Sequence, residues 1–594
     1  MHTDRSSGPG GLRLPSIWPG AASRELTAGL SRLHWRWYVR IGLALLLVGS
    51  TAGVAVGLTQ SRLPDSGERA LVARLHPSDI EHAAQDGNDC LRTRPPNGNC
   101  SGPLNNLSNN FGTGVNGGSS ARFDEAFELG DELFSHVFSA AEGGGANVGR
   151  GERYTRMPRA DLNGFGEWAN HTPSRATGPN AASCDACHFE GGADGAGVAA
   201  NNVHRDPRHS GDPKQMIQRS TPHLLGLAGL QLTAEEITEE LFSDRDGARN
   251  AACQVGGTQT RNLTAKGIGF GSISATRTVA SPCTVTFNTS GVRGVAADLV
   301  VRPFQWKGTV NTVRDFVRGA MHNENGVQAV EMAGDGVDGD FDGVDDELTI
   351  GDITALAVYM SFQPRPTTLQ ELSGITNPAT GQPFVTLSTA QNNSINNGRT
   401  VFGDVVHCDS CHVPSVTLNG RIWQEPSDNP NYRDATFPAG QSPTSRGVSP
   451  TGGPTGGPIR VDITRNGPDN RNVIPGTNGD VLGSFRRSGN GATVSAFTDY
   501  RRHNLGFEVA EQIDEEGTGA STFMTRALWG VGSTGPYMHN GAATTLTEAI
   551  LLHGGEASNS RSAFLALSGS STGRQQQVDL IAYLNEHVLL TQEE

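Results

Sequence analysis

The sequence is poor in apolar residues, in positive charge and in cysteine, and each shortage excludes something. Hydrophobic residues fill 36% of the 594 positions and aromatics 6%. That is low for one compact α/β enzyme. With 77 glycines, much of the length must be loop, and the apolar residues must be concentrated in a few packed helices. The length still allows two or more domains, each with its own core. A formal charge of −15 leaves no basic footprint for phosphate. That argues against a nucleic-acid partner and fits partners of opposite charge. No short-period repeat is present.

Of only eight cysteines, four lie in two pentapeptides, Cys184-Asp185-Ala186-Cys187-His188 and Cys408-Asp409-Ser410-Cys411-His412. Cysteines at i and i+3 present two thiols on one side of a helical turn, where they can form thioethers to the two vinyl groups of a haem. The histidine that follows then points its imidazole at the iron. Two such pentapeptides arise by chance in about 1 in 100,000 chains of this composition. A single zinc site built from Cys184, Cys187, Cys408 and Cys411 leaves His188 and His412 unexplained. A thioredoxin-like pair lacks a surrounding βαβ pattern. The motifs therefore predict two covalent c-type haems, with His188 and His412 as their proximal iron ligands. The other cysteines fall into two local pairs, Cys90 with Cys100 and Cys253 with Cys283, as expected for disulfides in an exported protein; buried free thiols are the alternative.

Export is read from the other end of the chain. Residues 1–40 carry six arginines against Asp4 and Glu25, and 41–58 then run without a charge. A basic leader before an apolar segment reads as a signal peptide or an uncleaved membrane anchor. The arginines would stay inside, placing the bulk of the chain in the periplasm or another extracytoplasmic space, free or anchored to the inner membrane.

Between these landmarks, residues 62–120 read as irregular structure wrapped on the rest. Apolar periodicity predicts helices from Phe123, around Thr221-Pro222 within 213–243, over Val310–Met321 and Ile353–Phe362, before the second motif, and over Thr545–His553 and Arg574–Val588. The Thr-, Ser- and Val-rich stretch 250–295 reads as a β-hairpin insertion, and 425–490 as long loops. The expected fold is mainly α: two cytochrome c-like haem lobes, 121–365 and 366–594, with long loops and a small β insertion.

Several segments carry a family resemblance. They are FELGDELF at 127–134, RSTPHLLGL at 219–227, FQWKG at 304–308, DELTIGDITALAVY at 346–359, CHVP after the second motif, FTDYRRHNLG at 497–506, and ALWGVGSTGPYMHNGAATTLTEAILLHGGEA at 527–557. Over 123–588 the chain resembles the di-haem oxidoreductases related to bacterial di-haem cytochrome c peroxidases and MauG. It is also similar to the di-haem rubber oxygenases. The resemblance implies peroxide reduction at the first haem, with electrons arriving from a donor protein through the second. The alternatives are O₂-dependent cleavage of an apolar substrate, or a non-catalytic electron-transfer cytochrome.

The resemblance also implies site residues. The position matching the distal ligand of the second haem is His553, where relatives carry Met or Tyr. It ends an apolar helix before Gly554-Gly555, so helix capping is its alternative role. His539 is a weaker candidate that could buttress the fold or a propionate. For the first haem the candidate sixth ligands are His204, Met321 and His322. His204 lies 16 residues after His188, the reach of a displaceable distal histidine. His322 and Glu324 are candidate acid–base groups. Trp306 is a candidate bridge between haems, with a core tryptophan as the alternative. Asp338, Asp340, Asp342 and Gly343 match positions 1, 3, 5 and 6 of an EF-hand-like calcium loop, but position 12 is Thr349 rather than Glu. Ca²⁺ would relieve repulsion among these acids; a solvated acidic loop is the alternative.

Overall fold

The computed structural model describes residues 119–589, apart from 146–152, most of 433–481 and isolated positions. The leader, the 41–58 segment, the wrap up to residue 118, Cys90 and Cys100 lie outside the described residues.

Helix α1 (Ser119–Ser135) precedes the first motif and buries Phe123, Phe127 and Phe134 along one side. That side meets helix α4 (Ile350–Ser361), with Phe127 against Tyr359 at 5.0 Å between ring centres. Gly130 allows the close approach, because a methyl group there would run into the Ala355 carbonyl. Thr349 caps α4: its side chain accepts from the Asp352 amide, and Asp352 returns a bond to the Thr349 amide. Position 12 of the acidic loop is thus committed to a helix cap.

Between α1 and α4 come a strand pair, β1 (Val203–Arg205) with β2 (Ile217–Arg219), and helix α2 (Leu227–Val255). Three antiparallel strands follow: β3 (Thr258–Ala265), β4 (Ile268–Ala280) and β5 (Cys283–Asn288). The Cys253–Cys283 disulfide ties the end of α2 to the start of β5. Helix α3 (Val313–Ala320) then runs into a wide turn over Met321–Asn325. Two buried arginines on α3, Arg314 and Arg318, converge on Glu331, and Arg314 also reaches Glu425 at 3.0 Å.

The second motif follows helix α5 (Thr389–Thr400). Helices α6 (Leu546–Leu552), α7 (Ser558–Ala566) and α8 (Ser571–Asn585) complete the C-terminal part. At Gly398 a methyl group would collide with the Asp579 carbonyl, so glycine again sets how closely two helices, α5 and α8, approach. One apolar cluster gathers α1–α4, with Cys184 packed on it. Another gathers Ile395, Phe402, Phe564 and Tyr583, with Cys408 packed on it.

The expectation of a mainly α fold needs correction. The described residues form several helices with seven small antiparallel sheets, a mixed α/β arrangement. Strands occur where loops were expected: Ile422–Glu425 pairs with Ile459–Asp462, and Arg486–Ser488 with Gly491–Val494. At three or four residues such strands show no readable alternation, and only pairing defines them, with a distant segment for Ile422–Glu425 and with the next few residues for Arg486–Ser488. The 250–295 segment likewise contains three strands rather than a hairpin, and α2 runs unbroken to Val255 after a start displaced to Leu227.

Candidate haem-binding cavities

Both pentapeptides fold into the same turn. The amides of Cys187 and His188 donate to the Cys184 carbonyl at 3.1 Å each. Those of Cys411 and His412 donate to the Cys408 carbonyl at 3.3 and 2.9 Å. In each motif the histidine Nδ1 bonds a backbone carbonyl, His188 to Gly195 at 2.9 Å and His412 to Phe497 at 3.0 Å. A carbonyl can only accept, so Nδ1 carries the hydrogen and Nε2 keeps its lone pair. Burial lowers both imidazoles to a pKa of about 4, so they are neutral at physiological pH. The two cysteine pairs line different cavities, and no ligating cluster among the described residues unites them.

The cavity at the second motif has a volume of about 270 Å³ and is lined by Cys408, Cys411, His412 and His553. His553 stands at the end of α6, its Nδ1 bonded to the Ala549 carbonyl at 2.7 Å. Its ring faces that of His412 with 6.4 Å between centres. His539 also lines this cavity but stacks on Phe523 at 4.4 Å. His503 lies beside Cys411, held by Asp499 and Glu556 at 2.8 Å each.

The cavity at the first motif, about 320 Å³, contains Cys184, Cys187, His188, Met321, Glu324 and Met360. Glu324 receives a hydrogen bond from the Asn180 amide, and burial raises its carboxyl above the usual range. Two of the expected groups face elsewhere. His204 sits on β1 between Val203 and Arg205, and those two line the cavity. The alternation of a strand therefore turns His204 away, toward Gln218 at 2.7 Å. His322 is buried beside His171 and Arg175, outside the cavity wall, and burial, followed by the Arg175 charge, drives its pKa well below the ordinary value.

Trp306 lines both cavities, as do Ser220, Thr221 and Pro222. Its Nε1 donates to the Ser220 carbonyl at 3.0 Å, which fixes the ring in the shared wall. Beside it, Arg219 pairs with Glu511 and, at 3.0 Å, with Glu515; Lys307 meets Glu511 at 3.2 Å. Sequence reasoning missed Asn180, Met360 and Arg526 as lining residues. None stands in a recognisable motif, although Arg526 immediately precedes the 527–557 segment.

Away from the cavities, one carboxylate oxygen from each of Asp338, Asp340 and Asp342 lies within 4.8 Å of the others. Asp338 accepts from the amides of Asp342 and Gly343 at 3.1 and 3.0 Å. Asp340 pairs with buried Arg175 at 3.2 Å. One oxygen each of Asp340 and Asp342 is buried without a hydrogen bond among the described residues. No described helix is long and apolar enough to cross a membrane.

In comparison with known proteins, the family described as "Di-haem oxidoreductase, putative peroxidase" matches residues 439–585, about a quarter of the chain. The matched span holds Arg526, His539 and His553 and neither Cys-x-x-Cys-His segment. No curated protein and no solved structure matches. Over that span the chain is distantly similar to an oxidoreductase family of peroxidase type.

Proposed function

We propose that this chain is an exported di-haem c-type oxidoreductase that reduces a peroxide at the first motif with electrons relayed by the second. The observation that carries the reading is the inequality of two otherwise alike motifs. Cys184 and Cys187, and Cys408 and Cys411, would hold the two haems as thioethers, with His188 and His412 presenting a free Nε2 to each iron. The donor set fits the group: neutral imidazoles oriented through Nδ1 are the form that binds metal. An imidazole–metal bond of about 2.0–2.1 Å on each side spaces two ring centres by roughly 6–6.5 Å. The 6.4 Å between His412 and His553 supports a doubly ligated second site. At the first motif no second histidine among the described residues lines the cavity, and of the candidate sixth ligands only Met321 does.

Haem, when bound, supplies the redox chemistry and an exchangeable coordination position. Reducing peroxide to water takes two electrons and two protons. Glu324, held by Asn180 and kept protonated more readily by burial, is the group in this cavity suited to deliver a proton. The charged groups in an otherwise largely apolar wall, Glu324 with Arg205, Arg219 and Glu515, favour peroxide over an apolar substrate cleaved by O₂. Trp306 would carry electrons across the shared wall. A donor protein would supply them on the second-haem side. The Asp338, Asp340 and Asp342 carboxylates are suited to Ca²⁺, which takes oxygen ligands.

The test is the spectrum of the matured protein. One low-spin and one high-spin haem, the latter alone responding to peroxide, is the expected result. A protein without covalent haem, or with two low-spin haems indifferent to peroxide, refutes the proposal.

A further inference from the structure

Among the described residues, the interior arginines Arg175, Arg219, Arg314 and Arg318 each face a carboxylate. Arg175 meets Asp340, Arg314 and Arg318 meet Glu331, and Arg219 meets Glu511 and Glu515. Arg526 does not. Its side chain lines the second-motif cavity and not the first. It makes no ion pair or hydrogen bond among the described residues, and its contact is with the Trp306 ring, 5.2 Å from the guanidinium carbon. Burial alone acts on its pKa, lowering it to about 10. A guanidinium half-buried in a cavity wall without an anion is unfavourable, and proteins retain one where a ligand completes it. The open side of this one is the cavity.

We infer that Arg526 is a carboxylate-binding residue of the second-motif cavity, and that its partner is a propionate of the haem held by Cys408 and Cys411. The planar fork of arginine matches a carboxylate in two parallel hydrogen bonds. The position also sets a function. A fixed positive charge in a haem cavity favours the reduced state, and this one lies against the Trp306 ring, through which electrons would leave. Arg526 is thus a positioning and potential-setting residue rather than a catalytic one. A free carboxylate from solution has the same chemistry and is the competing source.

This inference rests on haem attachment at the second motif, and the experiment separates the two. Holoprotein carrying Arg526→Gln or Arg526→Lys is first checked by mass for two covalent haems; absence of haem in the unaltered chain defeats the underlying reading, not this one. The midpoint potential of the low-spin haem is then measured at about pH 8. For Arg526→Gln we expect a fall equivalent to an order of about tenfold in the reduced-to-oxidised ratio, the effect of one charge at roughly 10 Å and an effective dielectric near 20. Arg526→Lys, which keeps the charge in a similar volume, is expected to keep most of the original potential. An unchanged potential in Arg526→Gln overturns the inference, as does an equal fall in both variants. A fall seen only after acetate is added to the unaltered protein, and absent from Arg526→Gln, would assign the site to an external carboxylate and overturn the haem source.

Discussion

Replacing His553 with alanine isolates one half of the proposed second site. The two rings stand 6.4 Å apart, centre to centre, and His553 is fixed by its bond to Ala549 at 2.7 Å. A methyl group on the same backbone cannot span that gap, so the second iron would lose one of its two nitrogen ligands while His412 remains. The change should be confined to one haem of two. The low-spin fraction should therefore fall from about half of the haem to near zero, with covalent haem content unchanged, since Cys408 and Cys411 are untouched. The loss of a half-buried ring of this size costs about 1–3 kcal/mol, small enough for the fold to survive. Free imidazole should enter the space vacated and restore the low-spin signal. Electron paramagnetic resonance at low temperature, with and without imidazole, reads all of this. His539→Ala is the matched control: that ring stacks on Phe523 and should leave the low-spin signal as it was. An unaltered low-spin signal in His553→Ala, or its loss in His539→Ala, would refute the ligand assignment.

Other consequences follow from the same geometry. Glu324→Gln keeps shape and hydrogen bonding to Asn180 but removes the proton source. Peroxide turnover should drop by about 10²–10⁴-fold with haem content unchanged; a drop below threefold would exclude the carboxyl from proton delivery. Removing Ca²⁺ with a chelator should lower the melting temperature at neutral pH, and Asp342→Asn should abolish that sensitivity. Equal responses to chelator in both proteins would reduce the loop to a solvated acidic turn. Glu235 accepts from Ser427 and Gln231, at 2.8 and 3.0 Å, and its partial burial raises its pKa to about 7. Because the folded chain then binds this proton more tightly than the unfolded one, stability should decline as pH rises from about 4.5 to about 7. Glu235→Gln should recover roughly 3 kcal/mol at pH 8 and nothing at pH 4; urea unfolding at the two pH values measures this, and a pH-independent effect would contradict it.

Much of this site is legible in the chain because it is local. A Cys-x-x-Cys-His pentapeptide contains its own geometry, as the bonds from Cys187, His188, Cys411 and His412 to the preceding cysteine carbonyls illustrate. Long apolar periodicities are similarly self-contained, and α1, α3, α4, α6 and α8 lie close to where periodicity places them. The pairing of Cys253 with Cys283 also follows from proximity, 30 residues apart at the ends of one insertion. The two- to four-residue strands were invisible because they are too short to show alternation and are defined only by the segment they pair with, whether near, as for Arg486–Ser488, or distant, as for Ile422–Glu425.

Which side chains share a cavity is a different kind of property. His204 has the right spacing from His188, yet sits at the one position of β1 that the pleat turns away from the cavity. His322 and Glu324 are two residues apart, and the turn after α3 sends one to Arg175 and the other to the cavity. Arg526 carries no motif at all; only the cavity around it reveals a cation lacking an anion. By itself the sequence determined the two cysteine–histidine turns, the acidic loop and the main helices, because those depend on neighbours within a few bonds. The family resemblance points to His553 and Trp306, but only the tertiary structure set His553 opposite His412, put Trp306 in a shared wall and left Arg526 unpaired, because each depends on chain segments that meet only when the apolar clusters close.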